Sequence, residues 1–386
     1  MKSVQFMLLI IAVLVNAGSV SAQTWTQTSA PMTNWTAVTC SADGVELAAF
    51  AGGGVVYIST NSGVTWNPST NAPTGSLRVA SSADGTKLTA AVNGGGIYRS
   101  VDSGQTWTQT SAPNKTWVSI ASSADGNKLA ALAAVFPPPD FYTSNDGGNT
   151  WNTNASPYDR WGDLACSSDG NILVACGSLG TTLVSTNFGS SWTETNLNTL
   201  LISAASSADG SRLMVAKSET MYVSTNFGFD WTQINTPSIG RITLSADGSK
   251  LAAVGYSGYM TNLSTYVSTD FGATWTTNVL PSIDYWASVK PLASSADGNK
   301  LVAVVNGGGI WTSQTTPMPQ LNLATTDSNL KFSWLVPSTN FVLQQSSDLS
   351  NWEDVTDAPS LNLTNLQEEV VISPTDNSGF FRLESR

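Results

Sequence analysis

Short apolar runs broken by polar turn residues recur along this chain with a fixed rhythm. Val79-Ala80-Ser81 gives way to the turn Ser82–Gly85, then to Leu88-Thr89-Ala90-Ala91-Val92 and a Gly-rich turn, Asn93–Gly96. A third run, Ile97–Ser100, and a fourth that begins at Trp107 complete the unit. Runs of this length, bounded by Gly, Asn and Asp, read as strands, and one unit reads as a four-stranded antiparallel meander. No long stretch carries a 3.6-residue apolar period, so no long helix is expected.

Two motifs punctuate the runs. The turn Ser-x-Asp-Gly occurs at Ser41–Gly44, Ser82–Gly85, Ser123–Gly126, Ser167–Gly170, Ser207–Gly210, Ser245–Gly248 and Ser295–Gly298. Its Asp can bond its own backbone and its Gly can take positive φ, which reverses the chain tightly. The phrase Ser-x-Asp/Asn-x-Gly-x-x-Trp follows at Ser59–Trp66, Ser100–Trp107, Ser144–Trp151, Ser185–Trp192, Ser224–Trp231 and Ser268–Trp275. Its tryptophans lie 41, 44, 41, 39 and 44 residues apart. A strand-rich repeat of about 40 residues implies stacked units that share a core.

Seven turns against six complete phrases point to a circular arrangement. The last unit reaches Ile310-Trp311-Thr312-Ser313 and then lacks its fourth strand. Gln23–Pro31 nearly repeats Gln105–Pro113, and Trp25 lies 41 residues before Trp66. The N-terminal strand is therefore expected to complete the seventh sheet and to leave only short, protected edges. The expected fold is all-β: a seven-bladed β-propeller of four-stranded antiparallel blades over 23–316, followed by a small β-sandwich-like domain over 317–386. The latter rests on the runs Leu330–Trp334, Asn340–Gln345, Val370–Ile372 and Phe380–Leu383. From Leu321 onward nine acids stand against three bases.

Residues 1–22 read as a secretory leader, with Lys2, the apolar run Phe6–Val15 and the small-residue site Val20-Ser21-Ala22. An exported mature chain, monomeric and without membrane insertion, is expected to begin near Gln23. The net charge of −11 argues against nucleic acid as a partner. Histidine is absent, which excludes His-dependent nucleophilic catalysis and His-based metal sites. No metal and no cofactor is expected. Cys166 and Cys176 flank a predicted hairpin turn and could be bridged after export, or could serve with Cys40 as small buried apolar residues.

The repeated phrase resembles the Asp-box, or BNR repeat, of sialidases, sortilin-type receptors, xyloglucan-cleaving hydrolases and photosystem-assembly propellers. The resemblance covers about residues 24–316 and implies a structural hairpin between strands three and four of each blade. In that reading Asn61, Asp102, Asp146, Asn187, Asn226 and Asp270 brace the hairpin and the tryptophan packs between blades. A sialidase would also need three arginines, a Tyr/Glu nucleophilic pair and an acid. Arg78, Arg160 and Arg241 lie near the starts of first strands, with Arg78 and Arg241 six residues before the turn Asp. The propeller, however, has only Glu46, Glu194 and Glu219, and Gly240-Arg241-Ile242-Thr243 is a distant echo of the family's Arg-Ile-Pro motif.

Loop irregularity concentrates on the face opposite the Asp-boxes, in 135–141, 255–262 and 283–286. Phe141, Trp161, Tyr256, Tyr259, Tyr285 and Trp286, with the three arginines, are the candidate ligand-binding residues, since exposed aromatics suit sugars or peptides. The same aromatics also suit packing between blades. The expected function is non-catalytic recognition of an extracellular polysaccharide or an exported or envelope protein. The alternatives are a glycoside hydrolase using Asp140, Asp163, Glu219 or Asp284, and an assembly factor for an envelope or membrane complex.

Overall fold

A computed structural model describes residues 25–75, 77–134, 140–155, 161–177, 181–197, 200–257, 262–279, 289–314, 321–326, 329–335, 341–347, 351–373 and 380–385. The leader reading of 1–22 falls outside them. The described residues form strands and turns only. Seven units follow one another, and their first strands stand side by side in chain order. The first strand of blade seven (Val289–Ser294) returns against that of blade one (Thr33–Cys40). The molecule is a closed β-propeller.

A belt of backbone hydrogen bonds closes the circle. The residue after the turn serine donates its N–H to the carbonyl of its counterpart in the next blade. Ala42 donates to Ala83, Ala83 to Ala124, Ala124 to Ser168, Ser168 to Ala208, Ala208 to Ala246, Ala246 to Ala296, and Ala296 back to Ala42, all at 2.6–2.7 Å. Beside this belt, each turn glycine lies under a side chain of the preceding blade. A Cβ on Gly85 (φ 74°) would sit 2.5 Å from Cβ of Glu46, and one on Gly210 (φ 73°) would sit 2.5 Å from Ile172. Glycine is needed there both for the left-handed backbone and for the close approach.

Seven apolar clusters fill the gaps between neighbouring blades. The gap between blades three and four, for example, holds Leu132, Phe141, Leu164, Leu173 and Leu183. Alternation along each strand sends successive side chains into the two flanking gaps, so inner strands buried on both faces read as near-continuous apolar runs. A box tryptophan closes six of the gaps: Trp66, Trp107, Trp151, Trp192, Trp231 and Trp275. Trp25 fills the remaining one, between blades six and seven, where its indole N–H donates to Oγ1 of Thr265 at 2.9 Å. The N-terminal strand Trp25–Gln27 pairs antiparallel with Ile310–Gln314, in the register Trp25 to Ser313 and Gln27 to Trp311. It supplies the fourth strand of blade seven, as its sequence implies.

Each box is braced by its own side chains. In all six, the serine Oγ–H donates to the Asp or Asn Oδ1 at 2.7–3.0 Å, while the same oxygen accepts the box glycine N–H at 2.8–2.9 Å. Each box also bonds back to the Ser-x-Asp-Gly turn of its own blade, for instance through Ser103 N–H to Thr86 C=O at 2.9 Å. Both motifs therefore share one face. The position before the box glycine is also left-handed, and Ser62, Ser103, Phe188, Phe227 and Phe271 hold φ of 55–60° there.

Strand pairing also links neighbouring blades in two places. Blades seven and one share one eight-stranded sheet through Thr33 to Gly308 and Asn34 to Asn306, and blades five and six share one six-stranded sheet. Leu213–Ser224 and Thr232–Leu244 each run unbroken, and Ser218 pairs with Ile239 across the two units. The short connections 217–219 and 236–238 leave no room for a loop and remain extended. Of the two readings the sequence leaves open for the cysteines, the structure has the unbridged one, with all three free. In the hairpin register Cys176 faces Asp163 and Cys166 faces Leu173, so the two thiols do not oppose one another. Burial pushes the Cys40 and Cys166 thiols up to about 12.

The tail forms two sheets around Phe332, Trp334, Leu343, Val370, Ile372 and Leu383. One comprises Asn322–Thr326, Asn329–Leu335, Gln367–Ile372 and Ser360–Asn362; the other comprises Glu353–Asp354, Phe341–Ser346 and Phe380–Ser385.

Gly85→Ala is expected to lower stability by about 1–3 kcal/mol in urea unfolding. Gly53→Ala, at a site with nothing within 4 Å of the added Cβ, is expected to be near neutral; equal effects would contradict the close turn-to-turn contact. Hydrogen bonds from the Thr150 hydroxyl and backbone N–H hold Asp146 down at about 2, well below its ordinary value of 3.8. Because the folded value lies below the unfolded one, its contribution to stability is complete above about pH 5 and is lost as pH falls towards 2. The stability advantage of wild type over Asp146→Asn should therefore shrink from about pH 5 to pH 2, and a constant gap would exclude this origin.

Candidate functional site

The first strand of each blade runs from the face opposite the boxes towards the turn, so a residue early in it lies near that opposite mouth of the ring. The column six residues before the turn Asp reads Ala37, Arg78, Ser119, Asp163, Ser203, Arg241 and Pro291. Four of its five polar members reach across to the next blade. Ser119 Oγ accepts Leu164 N–H at 3.2 Å, Asp163 Oδ2 accepts Ala204 N–H at 3.2 Å, and Ser203 Oγ accepts Ile242 N–H at 3.1 Å. Arg78 Nε donates to Val118 C=O at 2.6 Å.

Asp163 is the hub of this cluster. Its Oδ1 accepts the Ser119 hydroxyl at 2.9 Å, and its Oδ2 accepts Arg241 Nη1 at 3.0 Å. The same Nη1 also donates to Ile202 C=O at 2.7 Å. The two side chains remain partly open, 33% exposed for Arg241 and 19% for Asp163. Burial pulls the Arg78 guanidinium below its ordinary value, and the positive Arg241 nearby pulls it further, with Asp163 opposing. Arg241 pairs with the carboxylate and Arg78 lies near enough to feel both charges, so the cluster carries one net positive charge in a chain whose net charge is −11. Such a focus attracts anionic groups, carboxylates in particular.

Both oxygens of Asp163 are engaged by donors, Oδ1 by Ser119 and Oδ2 by Ala204 and Arg241. Glu219 is exposed on the connection between the second and third runs of blade five. The backbone of Asp140 begins the third strand of blade three, and its side chain lies outside the described residues. So do the whole of Asp284, Arg160, Tyr259, Tyr285 and Trp286, and the side chain of Tyr256. Among the described residues, no group of three or more His, Cys, Asp or Glu could hold a metal ion.

Two aromatic candidates are displaced from the binding role. Phe141 is fully buried and meets Trp192 edge-on, with ring centroids 4.9 Å apart. Its place on a strand paired with Leu132 and Asn154 turns the ring into the gap between blades. Trp161 is 7% exposed and belongs to the same cluster. Its repeat-mates Trp35 and Trp117 are buried as well and meet Tyr57 and Tyr142 edge-on. These rings hold blades together and offer no face to a sugar.

Ser119 and Ser203 carry no motif of their own in the sequence, and Asp163 is far from both Arg78 and Arg241 along the chain. Only their common place, six residues before the turn Asp, puts them in one column.

Fold and cluster together define a closed β-propeller with a polar, arginine-bearing mouth. No family model and no curated protein matches the chain. Among solved structures it is similar to YCF48 bound to D1 peptide, with a TM-score of 0.59 and 15% identity over 78% of this chain and 98% of that one. It is also similar to YCF48 from Cyanidioschyzon merolae, with a TM-score of 0.57 and 15% identity over 76% of this chain and 99% of that one. Both neighbours are β-propellers, and at this identity the likeness concerns the fold.

Proposed function

We propose that this chain is an exported, non-catalytic binding propeller that takes a carboxylate-bearing segment of an exported or envelope protein at the mouth opposite its Asp-boxes. The observation that carries the reading is the Arg78–Asp163–Arg241 cluster. Arg241 is held in place by Asp163 and by the Ile202 carbonyl, and it keeps surface open to an incoming anion. An ordered guanidinium of this kind recognises carboxylates with little further loss of freedom.

Two further points favour a protein segment over a polysaccharide. Phe141 and Trp161 are core residues, which removes part of the aromatic platform a glycan would need. One propeller of similar fold has a peptide bound. The assembly-factor alternative is a special case of this reading, in which the bound segment belongs to a larger complex. The export element rests on the leader-like residues 1–22. Hydrolysis is disfavoured because Asp163 is engaged by Arg241, Ser119 and Ala204.

The test is a peptide array of acidic and free-carboxyl-terminal sequences, followed by titration of the best binders. Saturable binding that weakens with salt is expected, and Arg241→Ala should weaken it about tenfold or more. Binding indifferent to Arg241→Ala and Arg78→Ala, or binding only to glycans, would contradict the proposal.

A further inference from the structure

The hydrogen-bonded belt carries a ring of small side chains at the box-side mouth, alanine at six of its seven positions. Ala42, Ala124, Ala208, Ala246 and Ala296 are buried there, although the next residue in three of these turns, Asp125, Asp209 and Asp247, is exposed. Over Ala42, Ala208, Ala246 and Ala296 the cover comes from the tail: Leu335, Leu361 and Leu366 pack against them, beside Ala83.

The segment presenting two of those leucines is built to hold its shape. Leu361 is the middle residue of the short strand Ser360–Asn362, and Leu366 closes the turn that follows, at φ 55°, a left-handed conformation that a branched side chain rarely adopts. Several bonds hold it there. Leu366 N–H donates to Asn362 C=O at 2.8 Å, Thr364 N–H to Asn362 Oδ1 at 2.9 Å, and Gln367 N–H to Asn365 Oδ1 at 3.1 Å. Both asparagine amides donate to Glu369 Oε1, and Lys331 pairs with Glu369 Oε2 at 2.8 Å. Backbone strain fixed by this many contacts marks a conformation kept for what it presents. Here it presents Leu366 to the alanine ring.

We infer that the C-terminal β domain is an axial stopper: the Leu361–Leu366 turn, with Leu335, seals the box-side mouth of the propeller. The axis of the ring is then closed at the box side and approached from the face that carries Arg78, Asp163 and Arg241. The stopper stands whether or not a peptide proves to be the ligand. Among the described residues its partner surface is intramolecular and apolar, so the contact is expected to persist at high salt.

The experiment inserts a specific protease site within 315–320 of the full chain and asks whether the cut halves stay together on size exclusion. The halves of the otherwise unchanged protein should co-elute, and those of Leu363→Asp should do the same, since Leu363 is an exposed residue of the same turn. The halves of Leu361→Asp/Leu366→Asp should separate. Ala246→Asp, which leaves the tail sequence untouched, should also release the tail and thereby excludes tail misfolding as the cause. Separation of the unchanged halves, or co-elution of the Ala246→Asp halves, would overturn the inference.

Discussion

Seven backbone hydrogen bonds, passed from one Ser-x-Asp-Gly turn to the next and back to the first, are the constraint on which this molecule depends. Each bond in isolation contributes about 1 kcal/mol net. Their importance is geometric, because a circle of seven donors and seven acceptors has no end. Every turn must then sit at the same height and the same distance from the axis. The turn glycines follow from that, and so does the pairing of each box with its own turn. The apolar gaps between blades supply most of the stabilisation, since burial scales with area and the gaps hold most of the buried aliphatic residues. The belt decides where those gaps fall.

Closure by the N-terminal strand is the second half of the same constraint. Blade seven would otherwise present an unpaired edge and an empty gap towards blade six. Trp25 fills the gap and its strand covers the edge, so one short segment corrects two defects. The two mouths of the ring then differ in chemistry. The box side carries methyl groups under an apolar cover, whereas the far side carries arginines braced by a carboxylate. That polarity, more than the fold, is what a functional reading can use.

Much of this was legible from the chain. The box spacing, the extra turn and the likeness of Gln23–Pro31 to Gln105–Pro113 led to a circular seven-unit fold, because turn chemistry and the tryptophan plug require particular residue types. The belt was not legible, since its bonds are made by backbone and an alanine at the belt position carries no chemical signal. Phe141 misled because it follows three prolines and so resembles a loop aromatic, whereas strand alternation turns it inward. Trp161 shares its position with Trp35 and Trp117, and all three are core residues. The merging of blades five and six came from connections too short to form loops, a property of length that no motif records. The docking of the tail depends on Leu335, Leu361 and Leu366, which in sequence look like ordinary strand residues.

The most direct test of the central claim is amide hydrogen exchange at the seven belt positions, Ala42, Ala83, Ala124, Ser168, Ala208, Ala246 and Ala296, resolved residue by residue in the intact protein. A closed belt predicts that all seven exchange as one slow class, with an opening free energy equal to that of global unfolding. Fast exchange at Ala42 or Ala296 alone, beside slow exchange at the other positions, would mean that the circle is open between blades seven and one and would contradict the account.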